Sequence, residues 1–250
     1  MNNLLVNPKY EALRSYLESI PERMLYEGTT LYQKRNLIKE LVTPDGLHIN
    51  VKRYHKPFII NAIVYSTGIR KPKGQRAYEY PLILANKGIN TPEPIAYIEE
   101  RKMGLLQFSY FISIQAQGYK TLYEVGNAKE GTYEALAGAL GVFTAEMHKK
   151  EVLHKDYSPG NILYKVEHDN YLFTIVDINR MQFGPVDQRT GCQNFARLWG
   201  PKRFIILMVE AYARHRGFNV ETCVEVALEE RRRFWRNYQK KHSVGFDLEL

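Results

Sequence analysis

The chain has 250 residues, enough for one or two compact units with a substantial core. Hydrophobic residues make up 44% and charged residues 25%, no stretch approaches eighteen consecutive apolar residues, and two cysteines are too few for a disulfide framework or a structural zinc site. A net charge of +8 favours acidic partners such as nucleotides, phosphorylated glycans or an anionic membrane, while no recognisable nucleic-acid-binding module accompanies it, so nucleic acid is not expected as a partner.

In chain order, Met1 to Pro8 carries no basic region and no apolar segment of the kind a secretory leader needs, so the chain reads as cytoplasmic. Asn7 followed by Pro8 is a helix start, and Tyr10, Leu13, Leu17 and Ile20 then recur at helical spacing up to Pro21. Residues 1–21 are therefore expected as an N-terminal helical extension packed outside the next unit. From Met24 the pattern changes to strands. Leu37 to Val42, a turn at Thr43-Pro44-Asp45-Gly46, and Leu47 to Tyr54 read as a hairpin. Ile59, Ile60, Ile63 and Val64 predict a short helix before a basic loop, Arg70 to Arg76. A longer helix is expected from Arg76 to Lys87, then strands near Ile95 to Ile98 and Leu105 to Ile114. Five strands and one main helix would make a small sheet lobe over residues 22–116.

Beyond Gln117 the chain turns mostly helical, and residues 117–250 are expected as a second lobe. Leu136, Leu140, Phe143 and Met147 line one face of a helix from about Thr132 to Lys149. A hairpin follows around His168-Asp169-Asn170, and two or three helices fill about Gln193 to Lys241. The last of these carries Arg231-Arg232-Arg233-Phe234-Trp235-Arg236 and Lys240-Lys241-His242, a cluster whose interleaved aromatics would suit an anionic membrane face.

The chemistry sits between those segments. His154-Lys155-Asp156-Tyr157-Ser158-Pro159-Gly160-Asn161 is followed by the apolar run Phe173 to Val176 and then Asp177. Phosphoryl transfer needs metal clamps, alignment and one group to take the acceptor's proton. An aspartate, an asparagine five residues on, and an aspartate ending a strand supply those parts. Asp156 is the candidate catalytic base, and Asn161 and Asp177 are candidate magnesium ligands through oxygen. His154 reads as a brace for the loop. Upstream, Lys52 on a strand is the candidate phosphate contact, with Glu79 on the following helix to position it, and Gln115-Ala116-Gln117 is the candidate hinge, Ala116 offering backbone groups to the adenine edge.

These residues resemble the protein-kinase-like superfamily across most of the chain. Within it, the catalytic loop, Val176-Asp177-Ile178-Asn179-Arg180-Met181 and Gly88-Ile89-Asn90-Thr91-Pro92-Glu93-Pro94 are similar to bacterial lipopolysaccharide kinases that phosphorylate Kdo or heptose of the inner core. The resemblance implies an α+β, two-lobed fold with a small antiparallel sheet lobe and a mostly helical C-terminal lobe. It also implies ATP and Mg2+ as cosubstrates, a membrane glycolipid as acceptor and peripheral contact with the inner membrane face. The sequence departs from typical protein kinases in having no G-x-G-x-x-G, only Gly28 near the expected place, and no Phe-Gly after Asp177. Two alternatives share the catalytic loop: an atypical, RIO-like protein kinase, and a pseudokinase that binds without turnover.

Overall fold

The computed structural model describes residues 3–250. The chain divides into two compact units, Met1–Gln117 and Gly118–Leu250.

The first unit is organised by one antiparallel sheet. Its strands are β1 (Asn3–Val6), β2 (Thr29–Gln33), β3 (Leu37–Val42), β4 (His48–Tyr54), β5 (Pro94–Lys102) and β6 (Leu105–Ile114), in the spatial order β1-β5-β6-β4-β3-β2. The β3–β4 hairpin forms where the sequence places it. Thr43 accepts the Leu47 N–H through its hydroxyl, and Gly46 takes a left-handed φ of 84°, a conformation costly for residues with a Cβ.

The N-terminal segment differs from its expectation. β1 pairs with β5, Asn3 opposite Glu99 through Val6 opposite Ala96, so the segment begins as an edge strand of the sheet. Asn7 caps the next turn through its side chain with Pro8 at the first position, as expected. Helical backbone then runs in pieces, a 3-10 turn at Pro8–Leu13, α1 (Arg14–Glu18) and α2 (Ile20–Arg23). Pro21 starts α2 instead of ending the helix. Leu17, Ile20 and Met24 are buried in one cluster with Leu41, Ile49, Val51, Ile98 and Ile112. The segment therefore completes the core of the sheet unit. A four-residue strand followed at once by a cap leaves too short an alternation to read from sequence.

α3 (Ile59–Ser66) is the expected short helix. α4 (Lys73–Asn86) begins three residues before its expected start, so Lys73 to Arg76 is helix and the basic loop ends at Pro72. Gly74 permits this, because a Cβ there would lie 2.7 Å from the Tyr97 ring.

The second unit is mostly helical. It contains β7 (Lys120–Thr121), α5 (Glu134–Lys149), β8 (Val152–His154), β9 (Ile162–Glu167), β10 (Asn170–Ile175), β11 (Met181–Phe183), α6 (Gln188–Gln193), α7 (Lys202–Arg216) and α8 (Val220–Gln239). β7, β9 and β10 form one small sheet, and β8 and β11 form another. The β9–β10 hairpin turns through His168 and Asp169, both with positive φ, the geometry that matches strand twist in two-residue loops. α5 and α7 pack with backbones close together. A Cβ on Gly141 would clash with the Met208 carbonyl oxygen.

α8 corrects the expected membrane-facing cluster. Arg231 is 1% exposed and donates through Nη2 to the Gly200 carbonyl at 2.9 Å, and Trp235 is buried with its indole N–H donating to Leu198 at 3.2 Å. Arg231 and Trp235 thus hold α8 onto its own unit, and Trp235 is not at the surface.

Candidate active site

The loop between β8 and β9 is built around one buried histidine. Val152 and Leu153 carry β8 into the core and leave His154 fully enclosed. The Asp156 backbone N–H donates to His154 Nδ1 at 3.1 Å. That fixes the tautomer: the proton sits on Nε2, which donates to the Val176 carbonyl at 2.9 Å. Burial holds the pKa of His154 below its ordinary value, keeping the ring neutral and able to accept at Nδ1. One side chain thus ties the backbone of Asp156 to the backbone beside Asp177, the bracing role expected of it.

Asn161 makes the second tie. Pro159–Asn161 forms a 3-10 turn, the Asn161 N–H donates to Ser158 O at 2.9 Å, and its side-chain Nδ2 donates to the Asp156 carbonyl at 2.8 Å. With the amide nitrogen so engaged, the amide oxygen is the atom left for a cation. The Val176 N–H donates to the Asn161 carbonyl at 3.0 Å, just past the last ladder pair, Ile162 opposite Ile175. The hairpin thereby brings Asn161 alongside the strand end that carries Asp177. Asp177 is left-handed, φ 55° and ψ 42°, an uncommon backbone for a non-glycine residue and one found where a side chain is aimed by its surroundings. Its carboxylate accepts from the Asn179 side-chain amide. The structure therefore gathers Asp156, Asn161 and Asp177 into one hydrogen-bonded unit.

Two arginines meet the Asp156 carboxylate. Arg197 donates from Nη1 to Oδ1, and Arg180 Nη1 stands 3.6 Å from Oδ2. The Arg197 guanidinium also lies 5.4 Å from the Phe234 ring centroid, within cation–π range. Behind the loop runs a chain of directed hydrogen bonds. Arg216 donates to Tyr212 Oη at 3.3 Å, Tyr212 Oη donates to His148 Nδ1 at 3.0 Å, His148 Nε2 donates to Asn194 Oδ1 at 3.2 Å, and Asn194 Nδ2 donates to the His154 carbonyl at 3.0 Å. Burial, aided by the Arg216 charge, lowers the His148 pKa to about 4, so the ring is neutral. Sequence reasoning did not find His148, Asn194 or Tyr212. Their partners lie 40 to 64 residues away, beyond any local pattern.

Beside Asp156 opens a groove of about 550 Å³. Lys155, Arg197, Arg233 and Lys241 line it together with Phe234 and Tyr238. The carboxylate among its described lining residues, Glu230, is taken up by Arg233 and by Gln193 Nε2 at 3.0 Å. The groove is therefore cationic with two aromatic faces, a surface suited to an acidic, hydroxyl-rich ligand.

In the first unit, Lys52 lies on β4 opposite Ile38 and Phe111, nearly buried, its ammonium 5.2 Å from the Tyr54 ring centroid. Glu79 is on α4, ion-paired with Lys71 at 2.7 Å and accepting from Gln75 Nε2 at 3.0 Å. Ala116 follows β6, half-buried, next to Gln115, whose N–H donates to His48 O at 3.0 Å and whose side-chain oxygen accepts from Asn50 at 2.7 Å. Gly28 has φ 81°, and a Cβ there would lie 2.6 Å from the Glu40 carbonyl oxygen. Packing against β3 accounts for this glycine.

A small antiparallel sheet unit, a mostly helical unit and an Asp-Asn-Asp loop system define a protein of the protein-kinase-like fold. Solved structures share that fold, among them these two. WaaP in complex with acyl carrier protein is matched with a TM-score of 0.60 and 15% identity, over 96% of this chain and 100% of that one. The Rio2 kinase–ADP/Mg2+–phosphoaspartate complex from Chaetomium thermophilum is matched with a TM-score of 0.50 and 11% identity, over 95% of this chain and 78% of that one. The lipopolysaccharide kinase (Kdo/WaaP) family model matches residues 19–205, and the chain belongs to that family. Among curated protein sequences, none matches it. Membership makes the protein a phosphotransferase with a kinase role in the lipopolysaccharide core. No helix among the described residues is long and apolar enough to cross a membrane.

Proposed function

We propose that the protein transfers the γ-phosphate of ATP to a hydroxyl of a Kdo or heptose sugar in the lipopolysaccharide inner core, working in the cytoplasm at the inner membrane face. The observation that carries this reading is the coupling of Asp156, Asn161 and Asp177 through His154 and the Asn161 amide. Such a unit presents three oxygen-bearing side chains in fixed relation, which is what positioning and charge clamping demand.

Among the described residues there is no cluster of three or more His, Cys, Asp or Glu able to cage a metal. Asn161 and Asp177 fit Mg2+ nonetheless, because this ion is commonly held by one or two protein oxygens with substrate phosphates and water completing its shell. When bound, Mg2+ neutralises charge on the transferring phosphoryl group. Lys52 is the proposed contact to the α/β-phosphates, Glu79 its positioning residue, and the backbone at Ala116 the adenine contact.

Asp156 is proposed to accept the acceptor hydroxyl's proton as its oxygen meets the phosphorus. A loose transition state asks little basicity of this carboxylate and much alignment. Arg197 supports that alignment by holding Oδ1, while Oδ2 lies 3.6 Å from Arg180 Nη1. The cationic groove beside it supports recognition of the carboxylate or phosphate groups of an inner-core sugar. Incubating the protein with γ-labelled ATP, Mg2+ and two acceptors, a Kdo-terminated lipid A and its heptosylated form, tests the reading. Label on either sugar supports it and names the acceptor; ATP consumption with label on neither refutes the glycolipid assignment.

A further inference from the structure

Phe58, Ile59, Ile60 and Ile69 stand in one short stretch of the first unit, and each is 76–79% exposed. Ile63, one helical turn beyond Ile59, is also exposed. The Arg70 N–H donates to the Val64 carbonyl at 3.4 Å, which returns the Ile69-Arg70 loop to the side of α3. Soluble surfaces rarely leave so many adjacent large apolar side chains in water without a binding role.

The segment of chain that carries them is basic. From Gly46 to Tyr78 the chain contains seven lysines and arginines and no aspartate or glutamate. Lys56, Arg70 and Lys71 are exposed, Lys71 sharing its charge with Glu79. A cavity of about 70 Å³ lies here, with Phe58 in its wall and Arg35, His55, Lys56, Lys73, Asn61 and Tyr65 around it. That is several times the space one water requires, and no carboxylate is among its described lining residues.

We propose that this face docks the protein on an anionic lipid bilayer, with Phe58, Ile59, Ile60 and Ile69 entering the acyl boundary and the cavity receiving a lipid phosphate. The geometry favours a bilayer over a protein groove. Ile59 and Ile60 open α3 about 100° apart and Phe58 precedes them at the extended N-cap, so the three side chains do not share one helical stripe. A groove in a partner would cover one stripe of the helix, whereas a fluid interface surrounds all three. Apolar side chains with a cationic rim are the combination that holds proteins at anionic interfaces. The proposal moves the membrane surface from α8, where Trp235 and Arg231 are buried, to the opening of α3. It does not rest on the phosphotransfer reading, because lipid binding is measured without nucleotide.

The test is co-sedimentation of the full chain with phosphatidylcholine vesicles and with vesicles of phosphatidylcholine and phosphatidylglycerol in a 7:3 ratio. Wild type partitions onto the anionic vesicles, and the Phe58→Ser/Ile60→Ser double variant partitions at least roughly tenfold less. Lys56→Ala/Arg70→Ala loses roughly tenfold on anionic vesicles alone, while Arg236→Ala on α8 binds as wild type does. The altered side chains are exposed, and an unchanged melting midpoint shows that each variant folds. Absence of wild-type partition, or equal partition by the serine variant, overturns the proposal. Lipid-free self-association of wild type that the serine variant lacks would assign the face to a second copy and overturn it too.

Discussion

Acidification should loosen the second unit through His148, and the size of the effect follows from its burial. The ring is 1% exposed, and its pKa falls from 6.5 to about 4 on folding. The folded value lies below the unfolded one, so the folded state binds fewer protons. Stability is then complete above pH 6.5 and is lost as the pH falls toward 4. The fall in pKa corresponds to about 3 kcal/mol in full, of which about 2 kcal/mol is lost by pH 5. Protonation also places a donor on Nδ1, where Tyr212 Oη now donates, so that link of the chain is lost. Urea unfolding followed by tryptophan fluorescence isolates this unit, because both tryptophans, Trp199 and Trp235, belong to it. The comparison is wild type against His148→Gln, at pH 7.5 and pH 5. Other carboxylates titrate equally in both proteins, so the stability gap between them should shrink by about 2 kcal/mol. A gap that stays constant between the two pH values would refute the neutral, hydrogen-bonded His148.

Arg197→Met should lower kcat by roughly 10–100-fold through a misaligned Asp156, while the nucleotide Kd stays near wild type; kcat within twofold in steady-state assays would remove Arg197 from alignment. Asp177→Ala should weaken Mg2+-dependent ATP binding by more than roughly tenfold, measured by titration calorimetry with and without Mg2+, and an unchanged affinity would sink its assignment as a ligand. Gly141→Ala should destabilise the second unit by about 1–3 kcal/mol, because the added methyl meets the Met208 carbonyl between α5 and α7. Urea unfolding read by tryptophan fluorescence checks it, and a wild-type midpoint would contradict the close packing.

What sequence could give was local. The catalytic loop was readable because its geometry is set by short-range bonds: Asp156 N–H to His154, Asn161 amide to Asp156, and a two-residue hairpin that returns Asp177 to Asn161. The β3–β4 hairpin, α3 and α5 were readable from turn residues and periodicity. β8 and β11 were not, since each is three residues long and exists only through its partner, Met181 opposite His154 to Phe183 opposite Val152. The basic run on α8 misled for a different reason. A composition of arginine and aromatic residues looks the same whether Arg231 faces water or a buried carbonyl such as that of Gly200, and tertiary packing alone decides. Glu79 shows the same limit: its position on α4 was legible, but not its ion pair with Lys71.

The central claim is that Asp156 acts on the acceptor hydroxyl within a phosphoryl transfer to an inner-core sugar. The most direct measurement is single-turnover phosphorylation of purified inner-core glycolipid by wild type and Asp156→Asn, with ATP affinity measured on the same two proteins. Wild type should add one phosphate to a sugar, seen by mass spectrometry, and Asp156→Asn should be slower by roughly 10²–10⁴ at nearly equal ATP affinity. A variant within threefold of wild type would contradict the role of Asp156.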